Sequence, residues 1–310
     1  MSPDNTLPDR FRGCLLGLAA GDAVGVPAEF KRRGSFEQVT GMAGGGPFDL
    51  ASGEWTDETS MALCLAASLL ECEGFDANDQ MQRYLRWLDH GYMSSMGQSV
   101  DAGMTISMAL ARYAKSGNPF SGPTNPNSAG NASIMRLAPV PMYYFGNLKA
   151  VLHYAGESSR TTHGAEECID ACRYLGLLMH RALSGEGKEE VLAGAPQNLL
   201  SSRRIQNIAA GVYREKTKAD ISSTCYVVQS LEAALWCFWM TDSFADAILL
   251  VTNLGYDSDT IAAICGQLAG AYYGIDSIPG EWLDALVMQE GIMGVADRLL
   301  EKATQSPGSS

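Results

Sequence analysis

The stretch Trp55-Thr56-Asp57-Glu58-Thr59-Ser60-Met61-Ala62-Leu63-Cys64-Leu65-Ala66-Ala67-Ser68-Leu69-Leu70 decides the fold class. From Thr59 to Leu70 it is almost wholly apolar and rich in Ala, Leu and Met. It is longer than a typical strand and poor in β-branched residues, as a buried helix would be. The chain on either side follows the same pattern. Phe11, Leu15, Leu18 and Ala19 fall on one helix face, and Gly21 with Gly25 are expected to break that run. Further helical windows cover 79–90, 104–115, 147–156, 164–184, 224–240, 243–253, 259–273 and 292–303. Strand alternation is scarce, because valines and isoleucines scatter through the helical windows. The expected fold is all-α, a single compact helical bundle.

Composition narrows the function. Of 310 residues, 46% are hydrophobic and 18% charged, enough apolar material for a large core that needs no staples or metals merely to fold. Lys+Arg 22 against Asp+Glu 35 gives a net charge of -13, which excludes sequence-independent binding to a nucleic-acid backbone. A phosphorylated ligand then requires a local source of positive charge. Eight cysteines without a Cys-x-x-Cys pair read as reduced core residues in a reducing compartment. Arg10 and Arg12 precede the apolar run Cys14–Ala20, but Asp4, Asp9 and Asp22 spoil a signal-peptide pattern, and no stretch is long enough for a membrane span. The expected location is the cytoplasm, without membrane attachment. One domain is expected over residues 10–304, with a flexible N-terminus at 1–9 and a disordered tail at 305–310. The Gly/Pro/Asn/Ser tracts 41–54 and 116–133 read as binding loops gathered at one face.

Common motifs are absent. There is no Gly-x-Gly-x-x-Gly loop, Gly187-Lys188 is followed by Glu189, and no Gly-x-Ser-x-Gly or His-Glu-x-x-His occurs. Chemistry must come from oxygen ligands and carboxylates. Two acidic clusters each precede an apolar helix: Trp55 to Met61, and Gly255-Tyr256-Asp257-Ser258-Asp259-Thr260-Ile261. Taken alone, either is accounted for as a helix start, with Thr56 as N-cap and Asp57 and Glu58 in a first turn that favours negative charge. Taken together, they place four carboxylates in one pocket if both helices begin at the same end of the bundle. Like charges ~4 Å apart repel by about 4 kcal/mol at an effective dielectric of 20, so that pocket needs cations or protonation. Carboxylate and hydroxyl oxygens favour Mg²⁺ or Mn²⁺.

Several ordered motifs carry a resemblance across about residues 10–300: Arg12-Gly13-Cys14-Leu15-Leu16-Gly17, Gly21-Asp22-Ala23-Val24-Gly25, Glu29-Phe30, Trp55 to Thr59 and Asp101-Ala102-Gly103. Gly130-Asn131-Ala132-Ser133-Ile134-Met135-Arg136, Thr162-His163, Asp257 to Thr260 and Gly266 to Gly274 follow in order. In these the sequence resembles the ADP-ribosylglycohydrolase family, which includes dinitrogenase-reductase-activating glycohydrolases and ADP-ribosylarginine hydrolases. The resemblance implies an all-α fold with two Mg²⁺ or Mn²⁺ ions at the bottom of an ADP-ribose cleft. It assigns Thr56, Asp57, Glu58, Asp257, Asp259 and Thr260 to the metals, with Glu58 where Asp is usual. Asp101 and Glu29 become the candidate catalytic carboxylates. Gly130, Asn131, Ser133, Met135, His163 and Tyr256 become substrate contacts, with Tyr256 where a second glycine is common and Ala132 where glycine is common. Arg136 is expected to tie down its own loop. The implied reaction releases ADP-ribose from a modified target, most readily arginine on a protein, by a chain expected to be monomeric. The alternative is a protein that binds ADP-ribose, or blocks a transferase by occlusion, without turnover.

Overall fold

A computed structural model describes residues 5–305. Ten helices of nine residues or more form the body: α1 Leu7–Gly25, α2 Asp57–Glu71, α3 Ala77–His90, α4 Met104–Ser116, α5 Leu148–Thr162, α6 Glu166–Leu183, α7 Val227–Met240, α8 Phe244–Thr252, α9 Ser258–Tyr273 and α10 Gln289–Gln305. Among the described residues, extended pairing is limited to three isolated bridges, Glu29 with Tyr256, Gly45 with Leu50 and Gly130 with Tyr226. The all-α expectation holds. No helix among the described residues is long and apolar enough to cross a membrane.

α1 and α9 are the central pair, and glycine sets their spacing. Gly13, Gly17, Gly21 and Gly25 recur every fourth residue, on one face of α1. They meet Gly270, Gly266, Ala262 and Asp259 of α9 in reverse order, so the helices run antiparallel. A Cβ on Gly17 would lie 2.5 Å from the Gly266 carbonyl oxygen, and one on Gly21 2.2 Å from that of Ala262. Only hydrogen side chains permit this approach. The expectation that Gly21 breaks α1 therefore fails. The helix continues to Gly25, because the intrinsic cost of glycine in a helix is offset by packing against α9. Ser258 Oγ donates to the Gly25 carbonyl at 2.8 Å and joins the end of α1 to the start of α9.

α2 is buried along its whole length except Glu71, as its apolar sequence requires. The N-terminal boundary differs from expectation. Thr6 and Asp9 cap each other reciprocally, Thr6 N to Asp9 Oδ2 at 3.0 Å and Asp9 N to Thr6 Oγ at 3.4 Å, and start α1 at Leu7. At the other end α10 runs to Gln305, and the expected disordered tail beyond it lies outside the described residues. Both glycine-rich tracts are braced by their own hydrogen bonds. Ser52 Oγ donates to the Met42 carbonyl, and Ser128 Oγ to that of Asn125. Six cysteines are buried thiols, but Cys72 and Cys225 are exposed, against the expectation that all are core residues.

Two glycine-to-alanine changes should move stability in opposite directions. Gly266→Ala places a Cβ 2.0 Å from the Gly17 carbonyl oxygen and should destabilise by about 1–3 kcal/mol or more. Gly294→Ala, on the open face of α10 with nothing within 4 Å, should stabilise by about 0.5–1 kcal/mol. Urea unfolding of both variants checks the pair.

Candidate active site

The α1–α9 contact ends where three chain segments converge. α1 delivers Asp22 and, through the turn after it, Glu29. α2 opens with Asp57 and Glu58, and α9 opens at Ser258 behind Asp257. The two acidic clusters meet directly: Thr260 Oγ donates to Glu58 Oε1 at 2.7 Å and lies 3.1 Å from Asp257 Oδ1. Thr56 Oγ donates to the other Glu58 oxygen. Carboxylate oxygens of Glu29, Asp101 and Asp259 lie within 4.8 Å of one another. The pocket thus gathers all six residues that the resemblance assigns to metal, together with Glu29 and Asp101.

Neither cluster behaves as ordinary capping. Thr56 occupies the N-cap position of α2 and Asp257 that of α9, yet neither side chain caps its helix. The α2 terminus is capped by Asp22, which reasoning from the sequence did not place in the site. Its oxygens accept from Thr56 N at 3.1 Å, Thr56 Oγ at 2.9 Å, Thr59 N at 3.1 Å and Thr59 Oγ at 2.6 Å. Asp22 is fully buried. A lone acid inside the apolar run Cys14–Val24 was the signal that marked it, since such a residue is rarely buried without a task. With the α2 terminus already satisfied, Asp57 and Glu58 are free to face the pocket.

The electrostatics are unfavourable throughout. Burial, then the Glu58 charge, pushes Asp22, Asp57 and Asp259 well above the usual carboxylate range. Glu29 is pushed up to about 10 by burial and then by Asp101 and Glu58. Asp101 rises to about 7 through burial, Glu58 and Asp257, and Asp257 to about 6 chiefly through burial. None of the ion pairs among the described residues involves these carboxylates or Glu58. Both oxygens of Glu29, Asp57 Oδ1 and Asp259 Oδ2 are buried without a hydrogen-bond partner. Unpartnered carboxylate oxygens from three chain segments, all hard donors, fit a site for divalent cations.

The loop residues divide into two groups. Asn131 Nδ2 donates to Asp257 Oδ2 at 2.5 Å and to Ser230 Oγ at 2.8 Å, so Asn131 borders the carboxylates. Gly130 is held beside it by the bridge to Tyr226. Ser133 Oγ is buried without a partner. Ala132 opens the short helix Ala132–Met135 and is not among the residues with a left-handed backbone, so replacing a glycine there brings no strain. Met135 and His163 are both buried beside the loop. Met135 belongs to the hydrophobic core, and buried His163 places Nε2 3.1 Å from where a Cβ on Gly130 would sit. Burial and then Arg136 hold the His163 ring down to about 3, so it is neutral. Arg136 is fully buried, donates to Thr162 Oγ at 2.6 Å and to the Ala132 carbonyl at 2.9 Å, and lies over the Tyr84 ring. Those contacts tie down the loop, as expected. Tyr256 has φ 59°, the left-handed region that glycine fills more readily. Asp101 does not cap α4: that position is Gly103, and Asp101 is half-buried with φ 56°.

Comparison with known proteins agrees with this geometry. The ADP-ribosylglycohydrolase family pattern matches residues 3–308. The chain is 42% identical over 303 residues to the ADP-ribosylarginine hydrolase Tri1 of Serratia proteamaculans, covering 98% of this chain and 82% of that protein. It is 43% identical over 305 residues to the Pseudomonas putida protein of the same name, covering 98% and 81%. A solved structure described as an ADP-ribosylglycohydrolase-related protein complex shares the fold with a TM-score of 0.85 at 41% identity, covering 96% of this chain and 99% of that one. With the family pattern matched over nearly the whole chain, the chain belongs to the ADP-ribosylglycohydrolase family.

Proposed function

We propose that this protein hydrolyses the bond between ADP-ribose and an arginine side chain, reversing mono-ADP-ribosylation of a protein, with two Mg²⁺ or Mn²⁺ ions bound. The observation that carries the proposal is the joining of Glu58 to Thr260 at the centre of a buried carboxylate pocket with unpartnered oxygens. The relatives named as ADP-ribosylarginine hydrolases support the choice of leaving group. Thr56, Asp57, Glu58, Asp257, Asp259 and Thr260 would hold the ions. When bound, the ions supply positive charge that neutralises the carboxylates and polarises the ribose hydroxyls and the attacking water.

The chain's own groups provide the proton chemistry. Hydrolysis joins a water oxygen to the anomeric carbon and breaks the glycosidic C–N bond, whose electron pair leaves with the guanidine. The transition state is oxocarbenium-like, as in other glycosyl transfers. With the ions bound, Asp101 or Glu29, whose carboxylate oxygens lie within 4.8 Å of each other, accepts the water proton. Asn131 holds Asp257 in orientation, and Gly130, Asn131 and Ser133 offer small groups to the ribose and diphosphate. We place the enzyme in a reducing cytoplasm as a monomer, in keeping with its free cysteines.

Asp257→Ala and Asp259→Ala should each abolish release of ADP-ribose from an arginine-modified protein. Their far-UV circular dichroism should stay near wild type, since both side chains repel their neighbours. Mass spectrometry of freed ADP-ribose reads the result, and full activity of either variant in chelator would refute the dimetal assignment. Mutant binding of ADP-ribose without any turnover by wild type would favour the occluding, non-catalytic alternative.

Stability of the metal-free protein should fall as pH rises. The folded chain keeps protons on Glu29 up to about 10 and on Asp101 up to about 7, whereas the unfolded chain releases them near 4.5 and 3.8. Between those limits the folded state binds more protons, so each increase in pH favours unfolding. Thermal melts in chelator should therefore give a lower Tm at pH 8 than at pH 5.5. Mn²⁺ at a fixed concentration, about 100 times its dissociation constant at pH 8, should raise Tm on the order of 5 °C at pH 8, and by less at pH 5.5, where protons compete for the carboxylates.

A further inference from the structure

Two exposed aromatic residues adjoin pocket carboxylates along the chain, and among the described residues neither ring makes a stacking or cation contact of its own. Phe30 is 65% exposed and Tyr256 43% exposed, although burial of either ring elsewhere would be favourable. One directly follows Glu29 and the other directly precedes Asp257. Their backbones are locked together: Phe30 N donates to the Tyr256 carbonyl at 2.7 Å, and Tyr256 N donates to the Lys31 carbonyl at 2.8 Å. Gly255 permits this approach, since a Cβ there would lie 2.6 Å from the Lys31 carbonyl oxygen. Both aromatic residues adopt a left-handed backbone, φ 55° for Phe30 and 59° for Tyr256, which is uncommon for bulky side chains. Strain of this kind persists where the surroundings impose it, and it gathers at functional sites. Among the described residues neither ring stacks on another ring or lies under a Lys or Arg cation.

We infer that Phe30 and Tyr256 form a clamp for the guanidinium of the substrate arginine and select arginine linkages over uncharged ones. This rests on the function proposed above and names the residues that read its leaving group. A guanidinium is a flat, weakly hydrated cation that stacks on aromatic faces. The chain as a whole carries a net charge of -13, so its overall field attracts a cation even when bound ions neutralise the pocket. The function proposed above gives the nucleotide to a different edge of the site, the Gly130–Asn131 loop, whose Gly130 is bridged to Tyr226. A serine-linked ADP-ribose has no cation to place between the rings.

The test compares wild type with Phe30→Ala, Tyr256→Ala, the double variant, Phe30→Leu, Phe30→Tyr and Tyr256→Phe, each as the full chain with Mg²⁺. Steady-state rates on an ADP-ribosylated arginine peptide are measured beside calorimetric affinity for free ADP-ribose. The double alanine variant should raise KM for the arginine peptide at least tenfold while the ADP-ribose Kd stays within twofold. Phe30→Tyr and Tyr256→Phe, which keep both rings, should stay within twofold of wild type on both measures, and Phe30→Leu should not. The clamp is overturned if the ADP-ribose Kd weakens in parallel with KM, which would assign the rings to the nucleotide. It is equally overturned if Phe30→Leu matches wild type, or if the alanine variants leave KM unchanged. A wild-type chain that binds ADP-ribose but releases none from the arginine peptide contradicts the proposed function itself, and removes the clamp's ligand with it.

Discussion

The backbone contact between α1 and α9 is the constraint on which the site depends. Four glycines on α1 bring its backbone against the carbonyls of α9, and no larger residue would allow that spacing. The contact fixes the end of α1 relative to the start of α9 to within a hydrogen bond, that of Ser258 to the Gly25 carbonyl. Asp22 then reaches sideways from α1 to the first turn of α2. One rigid contact therefore positions three acidic segments. Carboxylates that repel one another cannot assemble a pocket themselves, so the scaffold must supply the force that holds them together.

That arrangement trades stability for function. Asp22 completes the α2 N-terminus with two backbone donors and two hydroxyls, which offsets part of its burial. Asp57, Asp259 and Glu29 have buried oxygens with no such compensation. A protein selected for stability alone would replace them with apolar residues. Their retention is intelligible when the missing partners are cations, since among the described residues no lysine or arginine ion pair reaches these carboxylates, which leaves room for ions and for a cationic leaving group. The aromatic rim follows the same logic, because it adds a surface that attracts a flat cation without adding charge.

Much of this was legible in the sequence, and the gaps have physical causes. The apolar run Thr59–Leu70 and the scarcity of alternation announced an all-α fold, since burial on every side leaves no polar stripe. The acidic clusters were visible as helix starts, but spacing alone said nothing of whether they meet; a contact across 202 residues, Thr260 to Glu58, is a property of packing. Gly21 was read as a breaker because glycine's helical cost is local, while its compensation comes from Ala262 on a distant helix. Asp22 was visible as a lone acid in an apolar run, but its place in the site was not, because its partners, Thr56 and Thr59, are 34 and 37 residues away. Cys72 and Cys225 sat beside apolar windows but at their ends, where side chains reach solvent.

The central claim is that two distant acidic stretches jointly hold divalent ions, and crystallography tests it most directly. Crystals grown with Mn²⁺ should show anomalous density for two ions about 2.1 Å from oxygens contributed by both Asp57–Glu58 and Asp257–Asp259. Crystals that show no manganese there, or a lysine or arginine side chain folded into the pocket in its place, would contradict the account.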